Sequence, residues 1–181
     1  MKRAEAKDFL EDQHFKNMST QDRKEILDEL WIFCDSEAWF DEDDLRYFPK
    51  DIRKDMLEND SPHNPADPKY DFIIRDVIKG IFTGIKNAYL LNMLKSAGMQ
   101  IDEINSENEL LAKCDCCDYR TISPGADGLA EICPVCFWEN FGEGPNGMSL
   151  EEARANFNKF GAMSQSCLKS IDPDGPKKYA L

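Results

Sequence analysis

Two pairs of cysteines with the same internal spacing constrain this chain more than any other feature. Cys114 and Cys117 have two residues between them, and so do Cys133 and Cys136. Fifteen residues separate the two pairs, which is the spacing of a four-cysteine zinc ribbon. A two-residue gap lets a tight turn bring both sulfurs to one cation at about 2.3 Å. The spacing therefore predicts one structural Zn²⁺ bound by these four thiolates, with no coordination position left for catalysis.

Other interpretations of the cysteine cluster are open. Reduced thiols in an apolar core would need no metal, and a single C-x-x-C pair can be a redox motif at a helix start. Cys116 lies inside the first turn and is the alternate ligand. Because only Cys114 and Cys117 reproduce the spacing of the second pair, we expect Cys116 to be a half-exposed turn residue. The competing interpretation is a reactive thiol beside the cation.

The charge of the chain bears on its partners and location. The 181 residues carry a formal net charge of −13, and acidic residues outnumber basic ones in both halves. Nucleic-acid binders neutralise phosphates with basic patches, so a nucleic-acid partner is not expected. The chain has no uncharged apolar run of about 18 residues and no signal-peptide pattern at its start. We therefore expect a cytoplasmic protein, without a membrane segment, whose cysteines stay reduced.

An acidic run with two aromatic residues is the candidate partner-binding surface. The run DSEAWFDEDD spans Asp35 to Asp44. Such a surface can steer association with a basic protein, and aromatic side chains can anchor the complex. The alternative is that the aromatic residues belong to the core and the acids form a solvated rim. The candidate residues are Trp39, Phe40, Asp41, Glu42, Asp43 and Asp44.

The sequence offers no assembled set of catalytic residues. The two histidines, His14 and His63, lie in segments expected to be exposed and are not near a Ser or Cys nucleophile in sequence. The turn GEGPNG, residues 142–147, is not followed by Lys-Ser/Thr and so is not a phosphate loop. We therefore expect a protein that is not an enzyme. The least favoured alternative is a thiol or metal enzyme that uses Cys116.

Hydrophobic periodicity predicts an α+β protein whose first part is helical. Helices are expected over about residues 20–34, from Pro49 through Leu57, and over residues 69–97, where Gly80 and Gly84 can bend or break the helix. Residues 1–16 form a short helix or a frayed arm. These segments predict a helical domain of about four helices over residues 1–100. Residues 101–110 are predicted to be a linker, with a short strand as the alternative.

The remainder, residues 111–181, is predicted to be a small zinc-ribbon-like domain. Short antiparallel strands are expected around the cysteines, at LLAKC, DYRTI and LAEIC. One helix is expected over residues 149–160, capped by Ser149 with Glu152 and ended by Gly161. An irregular tail follows. A small aromatic core is expected between ribbon and helix, from Phe137, Trp138, Phe141, Phe157 and Phe160.

Three segments, CDCCDYRTI, EICPVCFWEN and GPNGMSLEEARANFNKFGA, resemble in this order the bacterial cysteine-rich CPCC domain family. The resemblance covers about Leu111 to Ala162, and nothing in residues 1–105 resembles a family. It implies no enzymatic activity. Because some members occur in toxin–immunity gene neighbourhoods, it suggests an immunity-type protein that binds a basic cognate toxin. The alternative is a zinc ribbon with a nucleic-acid-associated or regulatory role.

The first cysteine turn departs from the family pattern at two positions. Asp115 stands where the family has proline, and Asp118 stands where it has glycine. The glycine position after such a turn often needs a positive φ, which Asp tolerates better than most residues. Two added carboxylates beside an anionic thiolate site are expected to weaken the stability of that site.

Overall fold

The fold is α+β, as predicted, and is mainly helical. The computed structural model describes residues 1–35, 48–125 and 130–181. Its antiparallel sheet consists of Ala112–Lys113 (β1) and Arg120–Ile122 (β2). Short 3₁₀ segments lie at Pro68–Tyr70 and Gln165–Lys169. The α-helices of the described residues are Arg3–Asn17 (α1), Thr20–Asp35 (α2), Lys50–Glu58 (α3), Asp71–Ile81 (α4), Asn87–Ser96 (α5), Leu150–Phe160 (α6) and Gly175–Lys178 (α7).

Internal contacts divide the chain into two compact units. One unit comprises Met1–Ala6 together with Thr83–Leu181, and the other is Lys7–Phe82. These bounds differ from those of the predicted domains, residues 1–100 and 111–181 with a linker over 101–110. As a statement about independently folding domains, that division stays a prediction.

The unit Lys7–Phe82 is organised around an apolar core that its helices share. The rings of Trp31 and Tyr70 are in edge-to-face contact at a centroid distance of 5.8 Å, and the Trp31 indole Nε1 donates to the Asn59 carbonyl at 2.9 Å. A buried Trp therefore also satisfies its polar atom. The buried members of this core are Leu10, Leu27, Trp31, Ile52, Met56, Tyr70, Ile73, Ile74, Ile78 and Phe82.

A network of charged side chains fixes the proline-containing loop that precedes α4. The guanidinium of Arg23 donates to the Pro65 carbonyl at 2.8 Å and to Asp71 at 2.7 Å. Asp55 accepts a hydrogen bond from the Tyr70 hydroxyl and forms an ion pair with Lys69 at 2.8 Å. Burial, together with the neighbouring carboxylate, raises the pKa of Tyr70 to about 12. The loop is therefore held by partly buried, charge-assisted hydrogen bonds, which are stronger than those between neutral groups.

The long helix predicted over residues 69–97 is two helices. It breaks at Gly84, which has a φ of 71°, whereas Gly80 lies within α4. A Cβ atom at Gly84 would lie 2.5 Å from a side-chain carbon of Leu111, so both the backbone conformation and the space favour glycine. Five helices consequently lie within the described part of residues 1–100, one more than predicted.

The predicted linker contains no strand, and hydrogen bonds fix its last part. The carboxylate of Glu109 accepts from the Arg3 guanidinium at 3.2 Å and from the Gly84 N–H at 3.0 Å. Arg3, which is 8% exposed, also donates to the Asn87 side chain at 2.6 Å. The carboxylate balances the positive charge of the buried guanidinium, and the amide oxygen accepts one of its hydrogen bonds.

The helix α6 begins and ends where its sequence predicts. The Ser149 hydroxyl accepts from the Glu152 N–H at 3.1 Å and caps the first turn. Gly161 ends the helix with a φ of 88°, and its N–H donates to the Phe157 carbonyl at 2.8 Å. The face that carries Leu150, Ala153 and Phe157 packs against the cysteine cluster. Correct capping therefore aligns this face with the candidate site.

Candidate metal centre

The first cysteine turn is closed by two backbone hydrogen bonds. The Cys114 N–H donates to the Tyr119 carbonyl at 2.9 Å, and the Asp118 N–H donates to the Cys114 carbonyl at 3.0 Å. Asp118 has a φ of 63°, which is the left-handed conformation expected at this position. The turn places Cys114 and Cys117 on the same side of the loop.

The second cysteine turn repeats this geometry. The Cys133 N–H donates to the Trp138 carbonyl at 2.9 Å, and the Phe137 N–H donates to the Cys133 carbonyl at 2.8 Å. Phe137 has a φ of 69°, an uncommon conformation for a bulky residue. In the described part of the strand predicted at LAEIC, residues 130–133, the pairing is a single bridge between Ile132 and Glu139. The two turns are therefore equivalent knuckles, one of which is flanked by the sheet and the other by one bridge.

The knuckles bring the four predicted ligands together. Their Sγ atoms all lie within 4.8 Å of one another. Cys114 and Cys136 are 3.6 Å apart, and so are Cys117 and Cys133. In a tetrahedral site with metal–sulfur bonds of about 2.3 Å, sulfurs are separated by about 3.8 Å. The four thiols therefore fit a metal ion, and that they bind one stays a prediction.

The electrostatics of the cluster favour a cation. Hydrogen bonds from the thiols of Cys114 and Cys117 hold the pKa of Cys133 far below its ordinary value. Hydrogen bonds to Cys114 and the other cluster thiols raise the pKa of Cys136 far above its ordinary value. One thiolate is thus stabilised at the expense of its neighbours, since like charges in a buried cluster oppose one another. A bound divalent cation would interact favourably with all four thiolates and offset two of their four negative charges.

The cluster lies in the small core of this part of the chain. Trp138 and Val135 are each 1% exposed, and Phe157 packs against the same cluster. Phe141 is 61% exposed, so the prediction that it joins the aromatic core is wrong. The remaining buried members are Ile122, Ala153 and all five cysteines between Cys114 and Cys136.

The C-terminal tail covers the second knuckle. The Met163 N–H donates to the Cys136 carbonyl and the Asp172 N–H to the Pro134 carbonyl, both at 2.8 Å. A Cβ atom at Gly175 would lie 3.0 Å from a methyl carbon of Val135, so the tail backbone packs closely against the second knuckle. Tyr179 packs on the cysteine cluster, and burial raises its pKa to about 12. The tail predicted as irregular contains α7 and a 3₁₀ segment, and sequence reasoning missed its role.

Cys116 is buried, at 4% exposure, so the expectation that it is half exposed is wrong. It does not belong to the group of four sulfurs within 4.8 Å of one another. A hydrogen bond with Cys136 lowers the pKa of Cys116. Asp115 precedes Cys116 in the chain, and its carbonyl accepts two hydrogen bonds from the guanidinium of Arg154 in α6, at 2.9 and 2.6 Å. These hydrogen bonds attach α6 to the backbone of the first knuckle next to Cys116.

The sequence also singled out two histidines and a set of candidate partner-binding residues. Both histidines, His14 and His63, are exposed and belong to the unit Lys7–Phe82. The candidate partner-binding residues lie outside the described residues. They are Trp39, Phe40, Asp41, Glu42, Asp43 and Asp44.

Comparison with known proteins bears on the domain that contains the knuckles. Residues 112–177 match the family model described as Cysteine-rich CPCC. The predicted resemblance is thereby confirmed, and the match extends beyond Ala162 into the tail that covers the second knuckle. No curated protein and no solved structure matches the chain significantly. Among the described residues, no helix has both the length and the apolar character to cross a membrane.

Proposed function

We propose that this chain is a zinc-stabilised protein-binding module and not an enzyme. The observation that carries the zinc assignment is the convergence of four buried cysteine sulfurs within 4.8 Å. Four thiolates in a tetrahedral arrangement are typical of structural zinc sites. The ligands would be Cys114, Cys117, Cys133 and Cys136. Zinc would hold the two knuckles together and add stability to a domain with a small apolar core.

Burial and coordination argue against catalysis at this centre. A fourth thiolate ligand leaves no position for water or substrate, which catalytic zinc sites require. Reactive cysteines are usually partly exposed, whereas Cys116 is 4% exposed. These observations favour a structural centre over the thiol-enzyme alternative.

The proposed partner is a basic protein, and the immunity-type interaction is its most specific form. Support comes from the net charge of −13 and from the acidic run at residues 35–44. Long-range attraction raises the association rate of oppositely charged proteins. A nucleic-acid role is disfavoured by the same charge, because Arg120 is the one basic residue from Cys114 to Cys136.

The zinc assignment is tested by elemental analysis of protein purified without added metal. We expect one zinc and no iron per chain, with loss of zinc in Cys133→Ser. The matched control is Cys167→Ser, because Cys167 is a cysteine of the same domain outside the four-sulfur group. Less than half an equivalent of zinc in the wild type, or equal loss in both variants, would contradict the assignment.

The partner proposal is tested by co-expression with the product of the adjacent gene. We expect that product to be toxic alone and harmless when this chain is present. Neutralising Asp41, Glu42, Asp43 and Asp44 together should slow association most at low salt, where screening is weak. A control variant neutralises Asp102 and Glu103, which lie outside the acidic run. A product that is harmless alone, or that stays toxic with this chain present, would exclude the immunity-type interaction.

A further inference from the structure

A buried hydroxyl contacts one of the four cysteine sulfurs. Thr121 is 8% exposed, and its Oγ1 donates a hydrogen bond to the Cys133 sulfur at 3.2 Å. The residue belongs to β2, and Cys133 begins the opposite knuckle. The contact therefore links the strand beside the first knuckle to a ligand of the second.

The backbone on both sides of Thr121 is held in place. The preceding residue, Arg120, pairs with Lys113 of β1, and its N–H donates to the Ala180 carbonyl at 2.7 Å. The following residue, Ile122, pairs with Ala112 and is 2% exposed. Because Ala112 pairs with Ile122 and the adjacent Lys113 pairs with Arg120, Thr121 is the extra residue of a β-bulge. A bulge can redirect a strand side chain, and pairing on both sides of Thr121 holds this one in place.

The chemistry of a four-thiolate site gives this hydroxyl a role. Four thiolates around a divalent cation leave a net charge of −2, buried among apolar side chains. A hydroxyl that donates to a thiolate sulfur stabilises part of this negative charge. Such a hydrogen bond is stronger than one between neutral groups. Partners that orient metal ligands typically change metal affinity by about 10–100-fold when they are removed.

We infer that Thr121 is a positioning residue of the metal centre, whose hydroxyl orients the Cys133 thiolate and slows release of the metal. The inference rests on the proposed zinc site. It assigns to Thr121 an effect on the rate of metal loss that is separate from its packing in the sheet. Cys133, as the acceptor, should be the ligand that becomes most accessible to electrophiles when the hydroxyl is removed.

Three substitutions separate the hydroxyl from the shape of the side chain. Thr121→Val keeps the branched shape and the strand preference but removes the donor. Thr121→Ser keeps the donor and removes a methyl group. Ser123→Ala is the matched control, because the Ser123 hydroxyl donates to the Glu131 carboxylate at 2.6 Å and not to a sulfur.

The test measures transfer of zinc from the loaded protein to a chromogenic chelator. We expect Thr121→Val to release zinc about tenfold faster than the wild type, from the effect of such orienting partners. Thr121→Ser and Ser123→Ala should stay within about twofold of the wild type. Peptide mapping after brief alkylation should show that Cys133 is modified first in Thr121→Val. In cobalt-substituted protein, the thiolate-to-metal absorption band should shift in Thr121→Val and not in Thr121→Ser.

The outcomes distinguish this inference from the zinc assignment. Wild-type protein without zinc would overturn both. Zinc-loaded protein in which Thr121→Val releases metal at the wild-type rate would overturn the inference alone, as would Thr121→Ser releasing it as fast as Thr121→Val. If Thr121→Val does not fold, Thr121→Ala with Thr121→Ser as its rescue supplies the same comparison.

Discussion

The unit Lys7–Phe82 and the cluster around the candidate metal centre bury different kinds of side chain. The core of Lys7–Phe82 is aliphatic and aromatic, with Trp31 and Tyr70 in edge-to-face contact. In the buried cluster around the candidate metal centre, five of the nine members are cysteines. Apolar burial stabilises the first unit without help, whereas a small core rich in thiols requires a further source of stability. A metal ion should therefore be necessary for the folding of segment 112–177 and dispensable for the unit Lys7–Phe82.

Removal of the metal should have the largest effect. A zinc chelator is expected to unfold the segment 112–177 while α2 and α4 stay folded. The reason is that structural zinc contributes about 10–16 kcal/mol in small zinc-binding peptides, and ribbon cores cannot replace it. Hydrogen exchange followed by mass spectrometry should show loss of protection around the knuckles and retention in α4. Equal loss of protection in both units would break the comparison.

The reverse experiment removes the largest anchor of the helical core. Trp31 is 4% exposed, and Trp31→Ala should destabilise the unit Lys7–Phe82 by about 3–5 kcal/mol. Zinc content should be unchanged, because the four candidate ligands belong to the other unit. Denaturant unfolding and elemental analysis on the same preparation measure both properties. Loss of zinc from a variant whose helices remain folded would show that the units are not energetically separate.

Acid should affect the helical unit through Asp55. Burial alone would raise the pKa of Asp55, but hydrogen bonds from Lys69 and Tyr70 hold it below its ordinary value. The stability from ionised Asp55 is therefore present above the unfolded-state pKa of about 3.9 and is lost as pH falls through the folded-state pKa. At neutral pH, Asp55→Asn should cost about 1.5–3 kcal/mol. Urea unfolding of both proteins should show this difference shrinking below about pH 4, and a difference independent of pH would contradict the mechanism.

Two glycines four residues apart sharpen the comparison at the level of the backbone. Gly84 has a φ of 71° and is close to Leu111, so Gly84→Ala should cost about 1–2 kcal/mol. Gly80 is helical, and among the described residues no atom outside its own helix backbone lies within 4 Å of a Cβ placed there, so Gly80→Ala should stabilise by about 0.5–1 kcal/mol. Melting temperatures of the two variants measure the contrast. A stabilising Gly84→Ala would mean that the break between α4 and α5 does not depend on that conformation.

Local signals accounted for much of the fold. Ser149 and Gly161 marked the ends of α6 because capping depends on the residues at the ends themselves. The paired cysteine spacing identified two turns whose sulfurs the structure brings together, since a tight turn fixes where its side chains point. The left-handed conformation at Asp118 followed from the same turn geometry.

Features that depend on distant contacts were not predictable. Periodicity predicted helical structure over residues 69–97 without fixing the buried face: Phe72 is 60% exposed, whereas Ile74 is fully buried. Which face packs inward depends on neighbouring helices, and periodicity alone fixes it only to within about one residue position. The tail over the second knuckle and the Thr121 hydroxyl depend on contacts between residues far apart in sequence. The sequence around a threonine in a strand does not indicate which distant group its hydroxyl will contact.

The smallest expected effect lies in the first knuckle, at a position where the chain departs from the family pattern. Asp118 is exposed with a φ of 63°, so it has two separable disadvantages, a conformation that glycine adopts more easily and a charge near the thiolates. Asp118→Gly removes both, whereas Asp118→Asn removes the charge and keeps a side chain that tolerates the left-handed region. Because a glycine makes the unfolded chain more flexible, Asp118→Gly should raise the free energy of unfolding by only about 0.5–1 kcal/mol.

Thermal melting of the metal-loaded protein measures the combined effect of backbone and charge on stability. Competition with a chelator at low salt measures the effect of the charge on metal affinity. If the two variants compete equally well against the chelator but only Asp118→Gly melts higher, the backbone and the charge act separately. If neither variant differs from the wild type, the departure from the family pattern at this position has no energetic consequence for the knuckle.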